Sequence, residues 1–188
     1  MPPSTPPAAS LRTGFDRLRA NGWRTRSAGE FDIVTMTAFL AFLLLVQAPG
    51  SALEAFFVGR TEGAGSVRVI VSGRHAVRDT SRGRIDRGGA LVLDQILHEE
   101  GKPARRRTWR LSRTGANRVT GTISDARGPV TGEIDGDTLH LRYRLAEGPS
   151  VEQWITLQHG GRTATNRMTF RRFGLRVATV ETVIRKVE

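Results

Sequence analysis

Residues 138–145 read TLHLRYRL and alternate between polar and apolar side chains more regularly than any other stretch of the chain. One face takes Thr, His and two Arg, and the other takes the apolar set Leu139, Leu141, Tyr143 and Leu145. A period of two residues is typical of a β-strand with one face in a core and one in solvent. The preceding Asp135-Gly136 pair is a strong signal for a tight hairpin turn. The stretch therefore predicts a strand entered from a hairpin.

Similar short segments lie on both sides, separated by Gly, Pro, Asn and Asp. The further predicted strands are 67–71, 90–97, 105–113, 119–123, 130–134, 151–158, 162–171 and 175–187. Short connections make neighbours in sequence neighbours in the sheet, which gives an antiparallel meander. Such a meander has to close or cover its edges. We predict an all-β, up-and-down meander of eight or nine strands closing into a calycin-type, lipocalin-like β-barrel, with a two-sheet sandwich as the alternative.

Two features stand before the first predicted strand. Residues 53–58 are predicted to form a single helical turn or an entry segment that plugs one end of the barrel. The glycines of Gly59-x-x-x-Gly63-x-Gly65 lack the Lys-Ser/Thr ending and the following helix of a phosphate-binding loop. They are predicted to form a turn.

A sixteen-residue apolar run, IVTMTAFLAFLLLVQA, occupies residues 33–48. Its length lies between that of a signal-peptide core and that of a membrane-spanning helix, and its positively charged upstream flank favours export of the C-terminal part of the chain. The small residues Gly50, Ser51 and Ala52 favour cleavage after Ala52, with a retained anchor as the alternative. A buried helix would show polar residues at helical spacing, which this run lacks from Ala38 to Val46.

The run divides the chain into a disordered Pro- and Arg-containing leader (1–32), a signal core or anchor (33–52) and a β-barrel domain (53–188). Met36 is an alternative start, which would leave a leader without a charged flank. The chain has no cysteine, so attachment through a lipidated N-terminal cysteine is excluded. We expect the periplasm, or the periplasmic side of the inner membrane, as the location.

The chain has 29 Lys and Arg against 18 Asp and Glu, and five and three of these precede residue 53, so residues 53–188 carry a net charge of +9. All cations except Lys102 and Lys186 are Arg. Guanidinium groups bind phosphate in a bidentate fork, so the sequence favours a lipid or an anionic membrane surface as partner. Export disfavours nucleic acid. The alternative is a solvated Arg-rich surface without a ligand.

Arg107 is the most specific local candidate. It shares a strand face with Trp109, so if Trp109 points into the barrel, Arg107 does too. A buried guanidinium needs an acidic partner or an anionic ligand. The alternative is an Arg at the barrel mouth, covered by water.

The sequence gives little support for metal binding or catalysis. His75, His98, His140 and His159 show no metal-binding spacing, and no serine or cysteine nucleophile motif is present. Glu133, Asp135 and Asp137 are predicted to form a hairpin tip rather than a calcium loop. We expect no metal, no cofactor and no catalytic residues.

Several short motifs resemble, in order and spacing, the bacterial domain-of-unknown-function family 3833. They are Phe57-Val58-Gly59, residues 91–95 (LVLDQ), Arg107-Thr108-Trp109, residues 121–128 (GTISDARG), Asn166-Arg167-Met168 and Phe173-Gly174. The chain departs from the family pattern in lacking the lipoprotein cysteine, in having Gln95 where a carboxylate is expected, and in Glu152-Gln153-Trp154, where a more acidic pair is expected. The resemblance implies a lipocalin-like fold, an envelope setting and a link to lipid metabolism, without an established activity.

Together these patterns predict a monomeric envelope barrel that binds or shields a lipid-like or anionic amphipathic molecule. The alternatives are a structural or assembly factor that docks on the membrane through a basic surface, and a lipid-modifying enzyme. We expect Arg107, Trp109, Tyr143 and Arg167 to line the lumen. The full set of candidate ligand-binding residues is Arg107, Trp109, Asp125, Tyr143, Trp154, Asn166 and Arg167.

Overall fold

A computed structural model describes residues 51–146 and 148–187. The leader 1–32 and all but the end of the predicted segment 33–52 lie outside the described residues. One helix, α1 (Ala52–Phe57), precedes ten strands. The strands are β1 (Gly59–Val69), β2 (Gly73–Ile85), β3 (Leu91–Glu99), β4 (Arg105–Arg113), β5 (Arg118–Ile123), β6 (Val130–Asp135), β7 (Thr138–Arg144), β8 (Ser150–Leu157), β9 (Thr163–Arg172) and β10 (Leu175–Lys186).

Each strand pairs antiparallel with the next, and β1 pairs with β10, so the sheet closes into a barrel. The predicted up-and-down barrel is confirmed, and the two-sheet sandwich is wrong. Closure leaves no free sheet edge, which is the physical reason that a meander of this length takes this form.

The predicted hairpin between β6 and β7 is confirmed: Asp135 pairs with Thr138, and the two turn residues are Gly136, with φ 54°, and Asp137. A positive φ at a two-residue turn matches the twist of the paired strands and favours glycine. In β7, Leu139, Leu141 and Tyr143 are buried in the interior, as their spacing predicts.

The prediction was wrong at the start of the domain. The glycines Gly59, Gly63 and Gly65 lie in β1 rather than in a turn, and β2 was not predicted. The inward positions of β2 are Val77, Asp79, Ser81 and Gly83, of which only the first is a large apolar residue. A strand whose core face is polar or small gives no alternation of hydrophobicity, so the pattern missed it.

Helix α1 closes one end of the barrel, as predicted for residues 53–58. Its N-terminus has a capping box in which the Ser51 hydroxyl accepts from the Glu54 amide and the Glu54 carboxylate accepts from the Ser51 amide. At its C-terminus, Lys186 Nζ donates to the carbonyl oxygens of Ala55 and Val58 at 2.6 and 2.8 Å. The side chains that it buries in the core are Leu53, Phe56 and Phe57.

No helix within the described residues has the length and apolar character needed to cross a bilayer.

Candidate functional site

The up-and-down topology gives the barrel two distinct ends. The helix end carries α1 and the connections β2–β3, β4–β5, β6–β7 and β8–β9. The hairpin end carries the connections β1–β2, β3–β4, β5–β6, β7–β8 and β9–β10. Because every strand spans from one end to the other, the depth of a residue in the lumen depends on its position along its strand.

A belt of polar side chains crosses the middle of the lumen, between apolar residues toward either end. We call the polar belt the residues Asp79, Ser81, Gln95, Trp109, Tyr143, Gln153, Asn166 and Thr182, which point inward from their strands. All are buried except Gln95, which is half-buried. Interior polar groups cost stability unless they are hydrogen-bonded.

The belt consists of two hydrogen-bonded chains. In the first, Trp109 Nε1 donates to Gln95 Oε1 at 3.1 Å, and Gln95 Nε2 donates to Asp79 Oδ2 at 3.1 Å. The Ser81 hydroxyl also donates to Asp79 Oδ2, at 3.4 Å. This chain therefore ends on a carboxylate inside the barrel.

The second chain runs along the opposite wall. The Tyr143 hydroxyl donates to Gln153 Oε1 at 3.2 Å, Gln153 Nε2 donates to Asn166 Oδ1 at 2.9 Å, and Asn166 Nδ2 donates to Thr182 Oγ1 at 3.0 Å. Burial raises the pKa of the Tyr143 hydroxyl above its ordinary value, so the hydroxyl keeps its proton. The rings of Trp109 and Tyr143 meet edge to face at 5.5 Å, which joins the two chains.

Gly63 explains how Asp79 fits inside the barrel. The two residues are direct partners in the β1–β2 ladder. A Cβ at position 63 would overlap the Asp79 carboxyl group. The Asp79 side chain therefore lies across β1, where only glycine leaves room for it.

Arg107 points inward near the hairpin end, and its side chain is 6% exposed. Its guanidinium NH2 group donates to Asp125 Oδ2 at 2.7 Å, and the Asp125 side chain is 38% exposed. The predicted acidic partner is therefore present. Arg107 Nε and Asp125 Oδ1 are buried without a hydrogen-bond partner among the described residues, as is Thr61 Oγ1.

A cavity of about 60 Å³ lies beside the belt on the side of the helix end. Its apolar lining includes Phe57, Leu93, Leu141 and Ile184. Its polar lining comes from Thr61, Asp79, Ser81, Gln95, Trp109, Gln153 and Asn166. A void of this size holds a few water molecules, whereas a cavity of roughly 150 Å³ is needed for a benzene-sized molecule. The lumen is therefore narrow.

The structure brings together Arg107, Trp109, Tyr143 and Asn166 of the predicted site inside the barrel, with Asp125 at its mouth. The prediction that Arg167 lines the lumen was wrong. It lies on the outer face of β9, 65% exposed and 3.8 Å from Glu181, because it alternates with the inward Asn166.

Trp154 also lies on the outer face. Its ring stacks on His140 at 4.6 Å, and His140 Nε2 lies 3.0 Å from Glu152 Oε1. These three groups form an outer cluster on β7 and β8, on the face of the sheet away from the belt. Within the described residues no group of three or more His, Cys, Asp or Glu side chains could hold a metal ion.

Five belt residues were missed as site candidates: Asp79, Ser81, Gln95, Gln153 and Thr182. Gln153 could have been found, because it alternates with Val151 and Ile155 and so shares their buried face. Asp79 could not, since its strand was not predicted.

The buried carboxylate gives a stability prediction. We expect Asp79→Asn to stabilise the folded protein at neutral pH by about 1 kcal/mol, because the amide keeps an acceptor for Gln95 without a buried charge. Desolvation by burial raises the pKa of Asp79. The neutral carboxyl of Asp79 thus contributes its full stabilisation below the unfolded pKa of about 3.9. That stabilisation is lost as pH rises through the folded pKa.

Urea unfolding over a pH series would check this effect. The stability advantage of Asp79→Asn should grow as pH rises from the unfolded pKa to the folded pKa of Asp79 and then level off. Asp137→Asn, at the exposed β6–β7 turn, is the control and should change stability at neutral pH by less than about 0.5 kcal/mol. A variant less stable than the parent protein at neutral pH would contradict the assignment.

A closed antiparallel barrel of ten strands with α1 over one end and a polar belt in a narrow lumen places the protein in the class of up-and-down β-barrels. The chain belongs to the family described as protein of unknown function (DUF3833), which matches residues 45–186. The predicted family is thereby confirmed, while an envelope location is not contained in the family's description. No curated protein matches the chain.

Solved structures share the fold at low sequence identity. The S-type phycobiliprotein lyase CPES from Guillardia theta is 10% identical, with a TM-score of 0.58 over 72% of this chain and 90% of its own. Rv2717c from M. tuberculosis is 15% identical, with a TM-score of 0.58 over 74% of this chain and 99% of its own. A DUF3598-family protein of unknown function from Nostoc punctiforme is 13% identical, with a TM-score of 0.52 over 71% of this chain and 48% of its own.

Proposed function

We propose that this protein is a non-enzymatic binding protein of the bacterial envelope whose lumen takes part of one lipid-like amphipathic molecule. The observation that carries the proposal is the polar belt. A barrel with a purely structural role is most stable when apolar side chains fill it, whereas hydrogen-bonding groups among apolar walls are typical of ligand sites.

The unpartnered atoms near the hairpin end support the same proposal. Arg107 Nε is a buried donor and Asp125 Oδ1 a buried acceptor, and neither has a partner among the described residues. Such atoms are expected to bind water or a ligand. A polar or anionic head group at this mouth would supply an acceptor for Arg107, while the attached chain points toward the Trp109–Tyr143 contact.

The size of the cavity limits what enters. With about 60 Å³ available, an alkyl chain enters only if the apolar side chains of the lumen move apart. The ligand is therefore slim, and binding includes a change in the packing of the belt. The fold neighbour from Guillardia theta is a lyase by its description. For this chain we propose binding without catalysis, since the hydrogen-bond partners of the buried carboxylate Asp79 are Gln95 and Ser81, and neither supplies a second acid or base.

The leader supports the envelope part of the proposal. An apolar run with a positive upstream flank is typical of export or anchoring. Export would place the barrel beside membranes, which are the source of lipid-like ligands.

Native mass spectrometry of the protein purified from its own envelope tests the proposal. We expect a species heavier than the chain by one amphipathic molecule, which dissociates on collisional activation. The full chain expressed without lipid, then incubated with a lysophospholipid, is the matched sample. The bare chain mass in both samples would contradict lumen binding.

A structural role without a ligand is the second candidate, and the narrow cavity favours it. In that case the belt specifies a single packing of the core, and the surface carries the function. Absence of a bound molecule together with binding to membranes would be its signature.

A further inference from the structure

The hairpin end presents large apolar side chains to solvent. Ile70 and Val71 in the β1–β2 turn are 71% and 91% exposed, and Phe173 and Leu175 at the β9–β10 turn are 94% and 73% exposed. The two hairpins are neighbours, because β1 pairs with β10 and the Ile70 amide donates to the Val177 carbonyl at 3.1 Å. We call these four residues the apolar tip. Clustered exposed apolar side chains typically mark an interaction site.

Phe173 has a backbone conformation that is unfavourable for phenylalanine. It has φ 52°, in the left-handed region, and Gly174 comes next with φ 80°. Two positive φ values match the two-residue hairpin turn whose preferred first residues are Asn, Asp and Gly. Phenylalanine gains no burial here to offset the strain, since its ring is almost fully exposed. Backbone strain that no packing offsets is typical of functional positions.

Arginines surround the apolar tip. Arg68 and Arg74 flank the first hairpin, and Arg171, Arg172 and Arg176 flank the second, all of them exposed. The Arg172 guanidinium lies 5.7 Å from the Phe173 ring centre. A surface groove of about 570 Å³ between the hairpins has four arginines and one carboxylate in its lining, together with Ile70. The charged residues are Arg68, Arg74, Arg167, Arg176 and Glu181, and Glu181 lies 3.8 Å from Arg167.

Three carboxylates described in or beside the connections of this end are already engaged. Glu99 pairs with Lys102 at 2.6 Å, Glu100 accepts from the Ala76 amide at 3.0 Å, and Asp125 pairs with Arg107 at 2.7 Å. The positive charge around the tip is therefore available to a partner.

We propose that the hairpin end docks on an anionic lipid bilayer, with the apolar tip in the interfacial layer and the surrounding arginines on head-group phosphates. Aromatic and aliphatic side chains at the acyl boundary, bordered by cations, are the arrangement that binds anionic interfaces. Nucleic acid would use the arginines and could stack on Phe173, but it offers nothing to Ile70, Val71 and Leu175. This docking does not depend on a ligand in the lumen.

The absence of cysteine from the chain allows a local test. In one variant of the full chain, Val71→Cys, a polarity-sensitive dye is attached at the apolar tip. In a second variant, Ile85→Cys, the same dye is attached at an exposed position of the helix end. We expect phosphatidylglycerol–phosphatidylcholine vesicles to shift the emission at position 71 to shorter wavelength and to leave position 85 unchanged. The shift should disappear in pure phosphatidylcholine and at high salt. A local dye separates docking of the tip from any insertion of the leader.

Phe173→Asn in the Val71→Cys background is the decisive variant. Asn adopts the left-handed region more readily, so its thermal midpoint should rise while the apparent vesicle affinity falls about tenfold. If Phe173 had only a structural role, its substitution would lower both the thermal midpoint and the vesicle affinity. An emission shift with inorganic phosphate alone, a shift with single-stranded RNA but not with vesicles, or equal shifts at positions 71 and 85 would each overturn the proposal.

Discussion

Asp125→Ala is expected to destabilise the barrel by about 2–3 kcal/mol, because it leaves the Arg107 guanidinium buried without a counter-charge. Arg107 is 6% exposed, whereas Asp125 is 38% exposed, so water partly compensates the loss and the effect lies below that of a fully buried pair. Arg107→Met should cost less than Asp125→Ala, since a methionine of similar length leaves no buried charge.

The double variant separates charge from packing. In Arg107→Met/Asp125→Ala the cost should fall well below the sum of the two single effects, as urea denaturation would measure. Glu62→Ala, which breaks the exposed Arg60–Glu62 pair at 2.7 Å, is the control and should change stability by less than about 1 kcal/mol. Additive single effects would mean that the guanidinium is not held by Asp125.

Gly83→Ala should have the largest effect on the fold, about 3–5 kcal/mol. A Cβ at position 83 would overlap the carbonyl oxygen of Phe57, so α1 would have to move off the end of the barrel. Such a shift exposes Leu53, Phe56 and Phe57, each of which contributes roughly 1.5–3 kcal/mol by its burial.

Urea denaturation would measure the loss of stability. Limited proteolysis, with cleavage after residue 58, would measure the displacement of α1. Gly115→Ala is the matched control, because its nearest neighbour, Arg118 Cβ, lies at an ordinary contact distance of 3.9 Å. It should change stability by less than about 0.5 kcal/mol. A well-folded Gly83→Ala variant with protected α1 would show that the helix does not close the barrel.

The sequence predicts those strands best whose inward faces are apolar. β7 shows this directly, since Leu139, Leu141 and Tyr143 alternate with polar residues and Asp135-Gly136 marks its turn. β2 shows the limit, because Asp79 and Ser81 take core positions. Polar residues reach the core only with partners from other strands, and these pairings are not visible in a local pattern.

The candidate site obeys the same rule. Arg107 could be placed because Trp109 fixes the face of its strand, and the need for a counter-charge is a consequence of burial. Which carboxylate supplies that charge depends on the β5–β6 connection folding over β4. Arg167 was misplaced because the motif Asn166-Arg167-Met168 gives an order of residues but no face, and strand alternation assigns the inward position to Asn166.

The indole signals of the full chain test ligand binding in the lumen most directly. The chain has three tryptophans, of which Trp109 lines the cavity and Trp154 lies on the outer face. In a nitrogen-15 tryptophan-labelled sample, with Trp154→Phe for assignment, monomeric dodecyl phosphate is titrated against dodecanol and inorganic phosphate. A saturable shift of the Trp109 indole with dodecyl phosphate, and no shift of Trp154, is the expected result. An unmoved Trp109 signal, or equal shifts of both signals, would contradict binding in the lumen.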